Sequence, residues 1–192
     1  MAKPQKHRDA LVEAAAELFC RQGFAATGTN AILEKSGAPR GSLYHYFPEG
    51  KEQIGAAAVE AAGKTLTNAI KKIGEELPTA ADFVVEYATL LSEWMERSGY
   101  RNGNPISTIV LETVPQSEKI TPVAHRTHEI WIEHVCELLA REGWPENRRR
   151  ATSRLILSAF EGALVAARAS RSSEPLQSVA SEMAIFLKIE QR

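Results

Sequence analysis

Ala31-Ile-Leu-Glu-Lys-Ser-Gly-Ala-Pro-Arg-Gly-Ser-Leu-Tyr-His-Tyr-Phe47 is the stretch on which the reading of the whole chain turns. Its first part is a short amphipathic helix presenting Ile32 and Leu33 to a core. Gly37 then supplies the permissive backbone of a turn, and Pro39 opens a second short helix. Leu43 and Phe47, four apart, pack inward from that second helix, which spreads Arg40, Ser42, Tyr44, His45 and Tyr46 over its remaining surface. A short helix carrying so many aromatic and hydrogen-bonding side chains is poorly explained as a solubilising face. It suits insertion into the major groove of DNA, which is about 12 Å wide. For Tyr44 a second reading stays open, a half-buried brace between the two helices.

Outward from this segment, proline and glycine punctuate the chain. Pro4, Pro39, Pro78, Pro105, Pro122, Pro145 and Pro175 stand just before or at the beginning of helix-period segments, and Gly23, Gly37, Gly74, Gly99 and Gly143 follow them. The pattern predicts an all-α fold with helices at about 5–22, 29–36, 39–46, 51–74, 79–98, 105–114, 119–142, 146–171 and 175–190. In the first, Leu11, Ala14, Ala15, Leu18 and Phe19 form one apolar stripe, with Arg8, Glu13 and Glu17 outside it. A functional boundary is expected after residue 50, separating a helix-turn-helix domain, 1–50, from a helical domain, 51–192.

Composition narrows the function. The 192 residues, 44% apolar and 24% charged, exclude a disordered or collagen-like chain and suffice for one or two domains. No run is long and apolar enough for a membrane span or a secretory signal, so a soluble cytoplasmic protein without membrane association is expected. Cys20 and Cys136 lie in separate helical patterns and read as reduced core residues. Residues 1–51 hold seven Lys/Arg against five Asp/Glu, and the remainder sixteen against nineteen. That asymmetry is too small to indicate nucleic acid by itself. Arg148-Arg149-Arg150 reads as a solvated face. His125, His128 and Glu129 have a metal-like spacing but lack a fourth ligand, so neither metal nor cofactor is expected. No GxSxG, HExxH, Walker or GxGxxG signature is present, and no catalytic residue is assigned.

Three pieces together, Phe24-x-Ala-Thr-Gly-Thr-Asn-x-Ile32, Gly37-Ala-Pro-Arg-Gly-Ser-Leu-Tyr-His-Tyr-Phe47 and Lys51-Glu-x-Ile54, resemble the DNA-binding domain of TetR-family transcriptional regulators. The Phe47-Pro-Glu-Gly-Lys51 linkage, Asn104-Pro-Ile-Ser-Thr108 and Leu111-Glu-Thr113 are similar to the branch that controls multidrug-efflux and flavonoid-responsive genes. The resemblance implies a homodimer that grips a palindromic double-stranded operator and is released by a small molecule. It places base-facing positions at Arg40, Gly41, Ser42, Tyr44 and His45, and backbone anchors at Thr27, Thr29, Tyr46 and Lys51. Gly28 stands where many relatives carry a capping Thr or Ser.

The later helices carry two further expectations. Phe83, Tyr87, Leu91, Trp94, Met95, Ile109, Trp131 and Val135 read as core from periodicity. The resemblance makes them candidate lining for an apolar effector, with Glu112 and His134 either its polar groups or simply facing water. Ile156, Ala159, Phe160, Gly162, Ala163, Val179, Met183 and Phe186 give the last two helices a small-residue and apolar surface that fits a four-helix dimer interface, although intramolecular packing needs such a surface too. The alternatives to a ligand-responsive repressor are an architectural or non-inducible DNA-binding protein and, third, an all-α enzyme.

Overall fold

The computed structural model describes residues 3–190. Among these the chain forms nine helices: α1 (Lys3–Gln22), α2 (Thr29–Ser36), α3 (Arg40–Tyr46), α4 (Lys51–Glu76), α5 (Ala80–Arg97), α6 (Pro105–Thr113), α7 (Ile120–Arg141), α8 (Glu146–Ser170) and α9 (Glu174–Glu190). The fold is all-α, with no strand among the described residues. Proline places the helix starts as expected: Pro105 is the first residue of α6, and Pro39 and Pro145 are the N-caps of α3 and α8. Side-chain caps set two other starts. Thr79 Oγ1 accepts from the Asp82 N–H at the head of α5, and Asn104 Oδ1 accepts from Ile106 N–H at the head of α6. Gly74 does not end its helix, because α4 continues through it to Glu76.

Two compact units emerge. One runs to Thr65 and includes Asn104–Thr127; the other comprises Leu66–Gly103 and the chain from His128 onward. In the first unit α1 packs against α2, α3 and α6, and α2 against α3. Leu11, Ala15, Phe19, Ile32, Leu43, Phe47, Ile54, Ile106 and Ile120 are buried there. This unit is larger than a 1–50 segment because α6 is part of it. In the second unit α5, α8 and α9 pack on one another. Phe83 stacks on Tyr87, centroids 5.6 Å apart, and Tyr87 meets Phe160 edge-on at 5.0 Å. Trp131 is buried, and its indole N–H donates to Thr67 Oγ1 at 3.0 Å, which satisfies the polar end of a large apolar side chain.

Candidate nucleic-acid interface

The turn between α2 and α3 is built by local rules. Gly37 takes φ +63° and its N–H bonds Glu34 O, closing α2. Ser36 Oγ accepts from Ala38 N–H, and Ser42 N–H returns to Pro39 O at 2.8 Å. α3 is then fixed by one buried side chain within it, Leu43, and by Phe47 at its C-cap, 0% and 1% exposed. Everything else on this seven-residue helix is pushed outward. Arg40, Gly41, Tyr44 and His45 are exposed, while Ser42 and Tyr46 are half-buried. Tyr44, at 64% exposure, is no brace between helices; its ring is available to a partner. Tyr46 instead stands edge-on to the His45 ring at 4.8 Å. The open space around Gly41 leaves the backbone there free to approach a surface closely.

The expected backbone anchors divide. Thr29 is half-buried at the first position of α2, behind the capping residue Gly28, which offers no side-chain cap. Thr27 is fully buried. Its hydroxyl donates to Gly23 O at 2.7 Å and accepts from Gln22 Nε2 at 3.2 Å. Assignment of Thr27 to a phosphate is therefore corrected: the hydroxyl is committed to holding the α1–α2 turn. Lys51 lies at the first position of α4, with its ammonium over the Phe24 ring, 4.4 Å from the centroid, and bonded to Ala25 O at 3.2 Å. Desolvation holds its pKa below the ordinary lysine value, and the nearby Glu112 carboxylate opposes that shift.

Of the two readings of Glu112, a polar group of an effector pocket or a residue facing water, the first is corrected: the residue is exposed. Its carboxylate instead accepts from the backbone N–H groups of Phe24 (3.0 Å) and Ala25 (2.6 Å), in the same unit as α3. Ser117 Oγ donates to Glu52 at 2.9 Å, and Lys119 pairs with Glu49 at 2.6 Å, which raises the lysine's pKa. Sequence reading missed these ties, since nothing in the periodicity of α6 marks a partner 88 positions away.

This geometry, a helix fixed by one buried leucine with polar side chains facing out behind a glycine turn, has counterparts in known proteins. Residues 11–58 match the family described as bacterial regulatory proteins, tetR family, and residues 80–182 match the Transcriptional regulator LmrA/YxaF-like, C-terminal domain. The chain belongs to the TetR family. It is a transcriptional regulator, with relatives that span its full fold. The HTH-type transcriptional regulator LmrA of Bacillus subtilis is 30% identical over 181 residues, covering 94% of this chain and 96% of that relative. The HTH-type transcriptional regulator Rv0196 of Mycobacterium tuberculosis is 30% identical over 191 residues, covering 97% and 96%. In three dimensions the chain is similar to the regulatory protein TetR from Rhodobacter sphaeroides, with a TM-score of 0.82 at 21% identity over 92% of this chain and 96% of that one.

The remaining candidate residues fall in two groups. Of the proposed effector lining, Phe83, Tyr87, Leu91, Trp94, Met95, Trp131 and Val135 belong to the second unit, whereas Ile109 belongs to the first. All are buried except Trp94, which is half-buried. His134 makes a surface pair with Glu137 at 3.3 Å. Among the proposed dimer-face residues, Ile156, Phe160, Ala163 and Met183 are buried by the chain's own packing, as core of the second unit. Ala159, Val179 and Phe186 are half-buried, and Gly162 is exposed with open space above it. The outward apolar residues of α8 and α9 are Leu155, Val165, Ile185 and Ile189. Arg149 and Arg150 are engaged within the second unit, Arg149 with Trp144 O and Arg150 with Glu129. No helix among the described residues is long and apolar enough to cross a membrane.

Proposed function

We propose that this TetR-family regulator is a cytoplasmic homodimeric repressor that leaves a palindromic double-stranded operator when a small apolar molecule binds. The observation that carries the DNA half is the outward set Arg40, Gly41, Tyr44 and His45 around the buried anchor Leu43. Arg40 forks onto guanine, His45 and Ser42 bond base edges, and Gly41 admits a thymine methyl. Lys51, Thr29 and Tyr46 serve the phosphates. Two such helices in a dimer match half-sites ~34–36 Å apart or a multiple of that. Base reading belongs to residues 1–50, with Lys51 at the head of α4 adding a phosphate contact, while effector and dimer functions belong to 51–192.

The effector reading is supported by the aromatic concentration of Phe83, Tyr87, Trp94 and Trp131 in α5 and α7, within the region matched to the LmrA/YxaF-like C-terminal domain. A compound shifts the regulator only if it binds the DNA-free conformation better, and coupling is reciprocal. Tryptophan fluorescence titrated with a panel of planar hydrophobic compounds, with and without operator, tests this: an inducer quenches, and binds operator-loaded protein more weakly by the factor by which it weakens DNA. Quenching that survives Trp94→Phe with Trp131→Phe would move the site toward Trp144. A panel that neither quenches nor releases DNA favours the non-inducible alternative. The dimer reading rests on Leu155 and Val165 of α8 and Ile185 and Ile189 of α9, large apolar side chains facing outward on two neighbouring helices.

A further inference from the structure

Phe24 and Ala25 lie in the turn after α1, where Gly23 takes φ +88°. Successive N–H groups behind a left-handed residue point the same way and form a small anion-binding concavity. Here the anion is internal. Glu112 Oε1 takes the Phe24 N–H and Oε2 takes the Ala25 N–H. The fit is close: the Glu112 carboxylate lies where a Cβ at Gly23 would stand, and the positive φ is what requires glycine there. The same two residues that Glu112 grips are the ones that seat Lys51, through the Phe24 ring and the Ala25 carbonyl. On either side of Lys51, Glu49 and Glu52 are held by Lys119 and Ser117 of the segment following α6.

We infer that Glu112 is a positioning residue for the operator-phosphate contact of Lys51, acting through the backbone of Phe24 and Ala25. This rests on the reading of Lys51 as a phosphate contact. The carboxylate fixes the turn, the turn presents a ring and a carbonyl, and these hold the ammonium at the head of α4, where the helix N-terminus also favours a phosphate. Positioning and simple charge have opposite signs here. A carboxylate near DNA repels phosphate, so if charge were its whole effect, removing it would tighten operator binding. If Glu112 works by seating Lys51, removing it weakens binding. The N–H groups it holds are exposed, so water replaces the lost acceptor and the fold survives.

The test uses full-length protein and a duplex selected by the wild-type regulator from random-sequence DNA, with affinity measured by fluorescence anisotropy across a salt series. Lys51→Ala lowers the slope of log K against log salt by about one ion per protomer. Glu112→Ala is expected to weaken binding and lower the slope by a similar amount, and the double variant to go little further. Glu112→Gln, which removes the charge and keeps one acceptor oxygen, is expected to retain most of the slope. If Lys51→Ala lowers the slope and Glu112→Ala leaves it unchanged or tightens binding, the positioning role is overturned. If Lys51→Ala itself leaves the slope unchanged, the phosphate reading of Lys51 fails, and the positioning role fails with it. Should Glu112→Ala lose helicity by circular dichroism, Glu112→Gln decides alone. Weakened binding with a slope lowered less than by Lys51→Ala then upholds the positioning role, because one N–H has lost its acceptor, and an unchanged slope or tightened binding overturns it.

Discussion

Helices α3 and α8 both carry residues that read, from sequence, as contact surfaces, and they behave differently. On α3 the outward set is what the sequence suggests, because a seven-residue helix with a single buried leucine has one inward direction and leaves the rest to solvent. On α8, a 25-residue helix, Ile156, Phe160 and Ala163 turn into the second unit, while Leu155 and Val165 turn out. Both sides are apolar, so periodicity marks stripes without saying which one meets the chain itself. A contact surface is legible in sequence where polar chemistry marks it, and ambiguous where apolar residues recur on more than one face of a helix, as Leu155 and Val165 do beside Ile156, Phe160 and Ala163.

The largest effect expected from this contrast is at Ala163. Ala163→Arg forces a cation into the interior of the second unit and costs several kcal/mol, so it abolishes the cooperative melt instead of giving a folded monomer. Val165→Arg, two residues away and 69% exposed, retains helicity and shifts the sedimentation coefficient to that of a monomer. A folded dimeric Ala163→Arg protein would break the comparison on the α8 side. So would Val165→Arg remaining a dimer.

Next in size is α3. Arg40→Ala and His45→Ala each weaken operator binding by about 1–3 kcal/mol where the contact is a good bidentate pair, relax preference at particular base pairs, and leave the melting curve in place. Gel-shift titration against single-base variants of the operator checks this; unchanged affinity for both substitutions removes the outward set from the interface.

The smallest effect sharpens the local rules. Gly28 caps α2 at φ −84° with nothing within 4 Å of an added Cβ, so Gly28→Ser restores a side-chain acceptor without strain. It should raise stability by a few tenths of a kcal/mol in urea denaturation. A loss of stability would show that the serine hydroxyl is drawn to another partner.

Most of the fold was legible because proline and glycine act locally: Pro39, Pro105 and Pro145 stand where helices begin and Gly37 where α2 ends. Gly74 misled because a glycine ends a helix when it takes the left-handed conformation, as Gly37 does, and Gly74 is not among the positive-φ glycines. The reading helix was legible because Leu43 and Phe47 frame it. Thr27 was assigned to a phosphate through the family resemblance alone, which does not tell which hydroxyl a turn consumes, and only the folded turn brings Gly23 O to it. Glu112 was misplaced because its partners lie 87 and 88 positions away and are backbone groups, which leave no side-chain signature.

That long-range hook bears on how such regulators can be recombined. A chimera cut after residue 50 would carry the reading helix away from Glu112, Ser117 and Lys119, and would confront Phe24, Ala25, Glu49 and Glu52 with whatever a foreign α6 happens to offer. The transplantable piece is discontinuous: it is the segment through Thr65 together with Asn104–Thr127, two stretches of chain that have to be exchanged as one.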